Sequence, residues 1–181
     1  MSDYLFEEVL NRRGNVTRPV VEVGGEGLAR EARYEAVGVA VALRVRPVRA
    51  ALDHGLLGRW PQATTVLYLQ PGQARALDRV GVVTGATELA EEVQEEATEI
   101  SVASAGGIEV GARLHLREGT SFAEVVVESV AGATLALREA LETGFGAGAS
   151  VETVVSYEVA GVEDAGGEGH HGRAAARKRE G

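Results

Sequence analysis

The chain of 181 residues contains no cysteine, one lysine, one methionine, one tryptophan and four prolines. Without cysteine it can form no disulfide and has no thiol nucleophile, and the sequence does not encode a redox compartment. Aromatic residues make up only 4% of the chain, so its core must be built mainly from Val, Leu and Ala. Small and β-branched side chains fill thin β-structures well and large helical cores poorly.

Long apolar runs are also missing. No segment approaches the roughly 18 consecutive apolar residues of a membrane-spanning helix, so we expect no membrane association. The first ten residues include acidic side chains and no apolar run, unlike a signal peptide. The net charge of −9 argues against a protein that grips nucleic acid by its phosphates. It is compatible with a protein that DNA must slide past without sticking, because like charges repel at short range.

The residues that are abundant indicate a folded, turn-rich protein. The chain is 45% hydrophobic and 25% charged, as in globular proteins, and its 24 glycines suit many tight turns with positive φ. Its length fits one ordinary domain or two small ones. Arginine outnumbers lysine by 17 to 1, which a heat-adapted (thermophilic) source and GC-rich codon usage explain equally well.

The first half of the chain is typical of a meander of short strands. Apolar residues at odd positions from Val37 to Val45 predict a strand with one buried face. Further strands are predicted over residues 16–23, 64–69 and 76–83, with a turn at residues 24–27. A short amphipathic helix is expected over residues 3–13, and a helical turn followed by a loop over residues 49–61.

The second half changes texture twice. Residues 86–97 are acidic and compatible with a helix, and we interpret them as a connector. Strand and turn signals then recur every 8–12 residues up to Val155, and residues 156–162 form one more strand. The predicted fold is mostly β: a small SH3- or OB-like barrel of residues 1–95 and 156–165, an inserted β-module of residues 98–155, and a flexible basic tail of residues 163–181.

Patterns that suggest chemistry are weak. His170 and His171 supply at most two metal ligands where structural zinc requires four. Asp53 and His54 could form half of an acid–base pair, but no nucleophile motif accompanies them. We therefore predict no catalytic residue, no metal site and no cofactor.

Three other features have two readings each. The glycines of residues 24–27 lack the Lys-Ser/Thr ending of a phosphate-binding loop, so a hairpin turn is favoured. The acidic run of residues 88–99 lacks the spacing of a calcium loop, and it is either a solvated face or the lining of a negatively charged channel. Trp60 either anchors a subunit contact or packs inside its own domain.

Several short motifs, taken in order, resemble those of the head-closure (stopper) proteins of tailed bacteriophages. They are Thr17-Arg18-Pro19, Tyr34-Glu35-Ala36-Val37, Arg44-Val45-Arg46-Pro47, Leu69-Gln70-Pro71-Gly72, Asp78-Arg79-Val80 and the closing Tyr157 to Val162. Residues 98–151 depart from this pattern and resemble a β-module of phage neck and tail proteins. Each motif is short, and the resemblance depends on their order along about three quarters of the chain.

The resemblance implies a structural virion protein, assembled in the host cytoplasm into a neck ring of six or twelve copies. Its partners would be further copies of itself, the portal or adaptor ring on the head side, the tail tube or a tail-completion protein, and double-stranded DNA passing through the lumen. A closed ring requires two different patches that meet head-to-tail.

Two segments are candidate contact sites within such a ring. The segment expected to carry a ring contact or the plug comprises Asp53, His54, Gly55, Leu56, Leu57, Gly58, Arg59 and Trp60. The segment expected to dock on an acidic neighbour contains Arg173, Arg177, Lys178 and Arg179. The competing interpretations are a head–tail adaptor or tail-completion protein, a monomeric β-rich binding module and, least favoured, a hydrolytic enzyme.

Overall fold

The computed structural model describes residues 11–21, 32–164 and 172–179, and the predicted mostly-β class is confirmed. Its strands are β1 (Arg12–Val21), β2 (Ala32–Pro47), β3 (Thr65–Leu69), β4 (Arg79–Glu88), β5 (Glu99–Ser101), β6 (Arg113–Glu118), β7 (Ser121–Ala131), β8 (Thr134–Leu137), β9 (Ser150–Asp164) and β10 (Gly172–Lys178). One helix, α1 (Ala50–Arg59), lies between β2 and β3. Within the described ranges, no helix is long and apolar enough to cross a membrane.

The described residues divide into two compact units. The barrel unit contains the residues up to Val82 together with Ser156–Arg179, and the module contains Val83–Val155. The division falls at Val83, inside strand β4, and not in the predicted connector. Strand β4 therefore begins in the barrel unit and ends in the module. The module therefore begins about fifteen residues earlier than the sequence pattern suggested.

The strands of the barrel unit close on themselves. Their order is β10-β3-β2-β1-β4-β9, and β10 pairs with β9 as well as with β3, so the order returns to its starting strand. Hydrogen bonds from the Leu77 N–H to the Val159 carbonyl and from the Val159 N–H to the Asp78 carbonyl fix the start of β4 against β9. The ring is not sealed everywhere, because β3 pairs with β2 only from Arg44 to Pro47, so the outer edge of residues 32–43 has no partner strand among the described residues.

Small aliphatic side chains fill this barrel, as the low aromatic content required. Val16, Leu43, Leu67, Val80 and Val159 are buried in its interior. A second apolar layer lies outside the barrel wall, where helix α1 covers β3 and β10. Its members are Leu56, Ala63, Val66 and Ala175, with Val48, Trp60 and Tyr68 packed against them.

The expectation of a flexible basic tail is wrong for residues 172–179. Gly172–Lys178 form strand β10, and Ala174, Ala175 and Ala176 are at most 1% exposed. Ala174 and Ala176 face the barrel interior whereas Ala175 contacts the layer beneath α1, so both faces of the strand are covered. The alanine run has good helix propensity, but pairing with two strands overrides this weak local preference.

Strand β2 carries an irregularity that the alternation did not predict. Gly14 pairs with Val41 and Thr17 pairs with Ala36. The chain advances three residues along β1 between these two pairs but five residues along β2, so β2 contains two extra residues. Ala40 lies in the bulge with φ of 51°, and its N–H donates to the Asn15 side chain at 3.1 Å. The two extra residues fall at two register shifts, one between Gly14 and Val16 and one between Val16 and Thr17, and a single extra residue such as that at Ala40 turns the side chains beyond it to the other face. The prediction of one continuous buried face therefore fails on the N-terminal side of the bulge, where Val37 and Val39 are 47% and 44% exposed.

The left-handed backbone of Ala40 gives a direct stability test. Ala40→Gly is expected to stabilise the barrel unit by about 0.5–1 kcal/mol, because glycine adopts positive φ without a Cβ penalty. Ala42→Gly, at an exposed position without positive φ on the same strand, should destabilise it by a similar amount. Urea unfolding of both variants measures the difference, and equal shifts of the same sign would contradict the bulge at Ala40.

The module is built on a second run of antiparallel strands. β6 pairs with β7 and with the first residues of β9, β7 pairs with β8, and β8 pairs with β5. Its core is Leu- and Val-rich and includes Leu89, Leu114, Val127, Leu135 and Phe145.

The acidic connector predicted over residues 86–97 is not a helix. Residues 86–88 continue strand β4, and the rest form turns. Leu89 and Val93 make single β-bridges to Val102 and Phe145 and are buried in the module core. The stretch is therefore part of the module and not a connector.

Two other predicted features fall largely outside the described residues. These are most of the helix over residues 3–13 and the whole glycine turn of residues 24–27. Arg12 and Arg13, the last residues of the predicted helix, belong to strand β1.

Candidate functional site

Helix α1 contains most of the predicted plug segment and is fixed to the barrel by an ion pair. Asp53 is 1% exposed and accepts hydrogen bonds from the Arg46 guanidinium at 2.7 and 2.8 Å and from the Arg49 N–H at 2.8 Å. Arg46 also donates to the Tyr68 hydroxyl at 3.0 Å. The Arg46 hydrogen bonds, opposed by burial and aided by the Arg49 N–H, lower the pKa of Asp53 from 3.8 to about 2.

Trp60, at the end of helix α1, packs inside its own unit. A Cβ built on Gly161 would collide with the Trp60 indole ring, so the ring lies directly against the backbone of β9. Next to it, the Arg59 guanidinium lies 3.5 Å from a Glu163 carboxylate oxygen. Of the two readings of Trp60, the structure therefore favours an intrachain packing role.

The predicted helical turn is confirmed, but helix α1, which is kinked at Asp53, continues to Arg59 where a loop was expected, and the segment is held at Asp53 and at Trp60. Leu56 is 1% exposed and faces the barrel wall, whereas Gly55, Gly58 and Arg59 are exposed. That this segment carries a ring contact or the plug stays a prediction. Arg46 lies only seven residues before Asp53, at the end of the preceding strand, whereas Gly161 lies on the distant strand β9, which local sequence patterns do not connect to Trp60.

The residues that carry the phage resemblance meet each other in the barrel unit. Arg18 donates two hydrogen bonds of 2.9 Å to Asp78, which is 1% exposed and separated from it by 60 residues. The hydrogen bonds to Asp78 raise the pKa of the Arg18 guanidinium above its usual value. The Arg79 guanidinium lies 3.4 Å from the centroid of the Tyr34 ring, a cation–π contact. Motif residues from β1, β2 and the start of β4 are therefore structural partners.

The predicted docking residues are only partly available. Arg173 donates to Glu163 at 2.6 Å, and the Arg179 N–H donates to the Ser156 carbonyl at 2.9 Å. Arg177 and Lys178 are exposed on β10. Docking on an acidic neighbour could use these two side chains without disturbing the barrel.

The module carries a row of charges on strand β6 that sequence reasoning did not single out. Arg113, His115 and Arg117 alternate with the buried Leu114 and Leu116, so they share the opposite face of the sheet. His115 is 1% exposed and lies 3.2 Å from Glu124, which also accepts a hydrogen bond of 3.1 Å from Arg113.

Arg117 completes this row. It donates to Glu152 on β9 at 2.7 Å, and the His115 ring packs edge-on against Phe122. The alternation of Arg, His and Arg with leucines was the available signal, but the partners come from β7 and β9. Through these ion pairs and hydrogen bonds the row connects strand β6 to β7 on one side and to β9 on the other.

Charge is distributed unevenly between the two units. Residues 83–155 contain thirteen glutamates, three arginines and no aspartate or lysine, which gives a net charge of −10 with histidine neutral. The rest of the chain is therefore close to neutral, at +1, since the whole chain carries −9. In the acidic run of residues 88–99, all six glutamates are exposed.

The described residues bring no further sequence candidates together in a chemical centre. His170 and His171 lie outside the described residues. Among the residues that are described, no three acidic or histidine side chains converge on a position suited to a metal ion. The module has a shallow cavity of about 130 Å³ lined by small residues such as Thr84, Ser104 and Thr153.

Comparisons with known proteins give little similarity. No family model matches the chain, and no curated protein matches it. Among solved structures, it is similar to the Gp54 tailspike of Acinetobacter baumannii bacteriophage AP22, determined in complex with an A. baumannii capsular saccharide. The two share 20% identity over 40% of this chain and 15% of the tailspike chain, with a TM-score of 0.35.

Proposed function

We propose that this chain is a structural subunit of the neck of a tailed bacteriophage. In this proposal, copies form a ring between the head-side connector and the tail, join the two, and close the DNA channel until infection. The carrying observation is that motif residues which resemble the head-closure family contact one another in a closed barrel.

The contacts between the motif residues support the proposal because they give each motif a structural role in the barrel. The Arg-Pro motif provides Arg18, and the Asp-Arg-Val motif provides Asp78, which form a two-bonded ion pair between β1 and the start of β4. Two-bonded arginine–carboxylate pairs add geometric specificity as well as energy. A sequence that retained these motifs by chance would have no reason to bring them together.

The state of the buried ionisable groups favours a structural over a catalytic role. Asp53, Asp78 and Glu152 each accept two hydrogen bonds from an arginine guanidinium, and His115 faces Glu124. A general acid or base must exchange its proton with substrate at neutral pH. Asp53, whose pKa is lowered by the Arg46 hydrogen bonds, is held in the charged form instead, and the oxygens of Asp78 and Glu152 are occupied by arginine.

Two alternative structural roles are distinguished by specific observations. A carbohydrate-binding module would present a flat array of aromatic rings, but Trp60 packs on Gly161, Tyr34 lies beneath Arg79, and Phe145 is buried. A head–tail adaptor is expected to be mostly helical, whereas strands dominate the described residues. A tail-completion protein of the same connector is the nearest alternative.

A phage in which this reading frame is interrupted tests the function. We expect DNA-filled heads and finished tails to accumulate separately, with DNA leaking from the heads, and expression of the intact chain from a plasmid should restore joined particles. Joined, DNA-retaining virions made without the chain would contradict the proposal. Joined virions that fail only at attachment to the host would instead favour a binding module.

A further inference from the structure

Strand β2 presents one edge that lacks a partner over most of its length. β3 pairs with β2 only from Arg44 to Pro47, and β1 occupies the other edge from Ala32 to Leu43. Within the part of the chain that the structure describes, no strand pairs with the outer edge of residues 32–43. Such an edge is a natural site for association with another chain.

Apart from its bulge, the central part of this edge carries few of the usual defences against association. Residues 36–43 carry no charge and no proline, and Val37 and Val39 expose nearly half of their surface. Natural edge strands are normally protected by lysine, proline or inward-pointing charges. The bulge at Ala40 interrupts the backbone ladder, so a partner would contact this strip mainly through side chains.

Arginines flank the two valines at both ends of the strip. Arg33 and Arg44 are exposed, Arg13 on the neighbouring strand is exposed beside Ala42, and one carboxylate, Glu35, is exposed between Arg33 and Val37. We define the valine strip as Arg33, Val37, Val39 and Arg44. Three arginines against one glutamate leave this surface with an excess of positive charge, and two such surfaces in contact would repel each other.

The module carries a patch of opposite charge and matching apolar character. Its exposed valines, Val110 and Val130, are 66% and 36% exposed, and each has an exposed glutamate nearby in sequence, Glu109 and Glu128. The Gly111 N–H donates to the Val127 carbonyl at 2.8 Å, which brings Val110 beside strand β7, the strand that contains Glu128 and Val130. We define the glutamate patch as Glu109, Val110, Glu128 and Val130.

We propose that the valine strip of one copy docks on the glutamate patch of a second copy. The occupant follows from charge, since the surface around the strip has three exposed arginines against one glutamate, the patch has two glutamates, and the module as a whole carries −10. Two different patches that meet head-to-tail can repeat around a closed ring. That the contact repeats around a closed ring rests on the proposed function. The contact between two copies of this chain does not depend on it.

Charge reversal with rescue tests the contact. The first variant carries Arg33→Glu and Arg44→Glu, the second carries Glu109→Arg and Glu128→Arg, and the third carries all four changes. Sedimentation equilibrium at 50 mM salt should show self-association weakened roughly tenfold or more in the first two variants, because each opposes like charges across the contact. Association should return to within roughly threefold of the starting chain in the third.

Loss of folding can be separated from loss of contact, because the charged positions are all exposed. The far-ultraviolet circular dichroism and urea midpoint of each variant should match those of the starting chain. A strip-to-strip contact predicts no effect of the second variant and no rescue in the third, and this result would overturn the inference. A starting chain that stays monomeric at every concentration would overturn it as well.

Cysteine trapping gives an independent measurement, since the chain has no cysteine of its own. A variant with Val39→Cys and Val130→Cys should oxidise to a ladder of disulfide-linked oligomers, whereas Val39→Cys alone should not. Dimers of the single variant would identify a strip-to-strip contact and overturn the inference. None of these outcomes changes the phage assembly result, so failure of the contact is distinguishable from failure of the proposed function.

Discussion

Gly161→Val is expected to destabilise the barrel unit by about 3 kcal/mol and to displace Trp60 from strand β9. The reason is steric, because a Cβ at this position collides with the rigid indole ring, which is flanked by the apolar layer beneath α1. Overpacking and the loss of a large aromatic contact each cost about this much. Urea unfolding measures the stability, and the fluorescence of the single tryptophan should shift to the red as the ring becomes exposed to water.

Gly58→Ala is the matched control for this change. Gly58 lies in helix α1, two residues before Trp60, and a Cβ there meets nothing within 4 Å. The substitution should stabilise the unit by about 0.5–1 kcal/mol through helix propensity and leave the tryptophan emission unchanged. If Gly161→Val were tolerated with unchanged emission, the contact between Trp60 and β9 would be wrong.

Asp53→Asn is expected to cost about 3 kcal/mol although it conserves shape. The amide cannot match the charge of Arg46, whose side chain is only 14% exposed, and an ion pair broken on one side leaves an uncompensated charge. The loss should appear in urea unfolding at pH 7 and should free helix α1 from β2. Glu35→Gln, at an exposed carboxylate of strand β2, is the control and should change stability by less than about 0.5 kcal/mol.

The same carboxylate predicts how stability changes in acid. Its pKa falls from 3.8 to about 2 on folding, so its contribution is present above pH 3.8 and is lost as the pH falls towards 2. The difference corresponds to about 2 kcal/mol. Unfolding free energies of the starting chain and of Asp53→Asn should therefore converge between pH 4 and pH 2. A difference between them that stayed constant over this range would contradict the Arg46–Asp53 pair.

Local patterns predicted the strands and the fold class well, because alternation and turn residues are properties of neighbouring positions. Strand β3 begins within one residue of its predicted start and ends at Leu69, as predicted. The predictions failed where a distant partner decided the outcome. The alanines of β10 favour a helix alone but pair with β3 and β9. The acidic stretch of residues 86–97 is compatible with a helix by composition, but its Leu89 and Val93 form β-bridges to Val102 and Phe145.

The candidate surfaces were less predictable than the fold. Sequence alternation placed Val37 and Val39 in the core, and only the register shift at Ala40 explains why they are exposed. In the sequence, the segment that begins at Asp53 and ends at Trp60 is notable for its glycines and for the single tryptophan of the chain. The anchor of Asp53 is Arg46, seven residues earlier on β2, and the anchor of Trp60 is the backbone of Gly161 on β9, which comes beside it only through the tertiary fold.

The most direct test of the proposed role is cryo-electron microscopy of the neck of a virion that contains this chain. The proposal predicts a ring of copies between head and tail, with the valine strip of each copy against the glutamate patch of the next. Density for the chain at another position in the particle, or a neck ring made without it, would contradict the proposal.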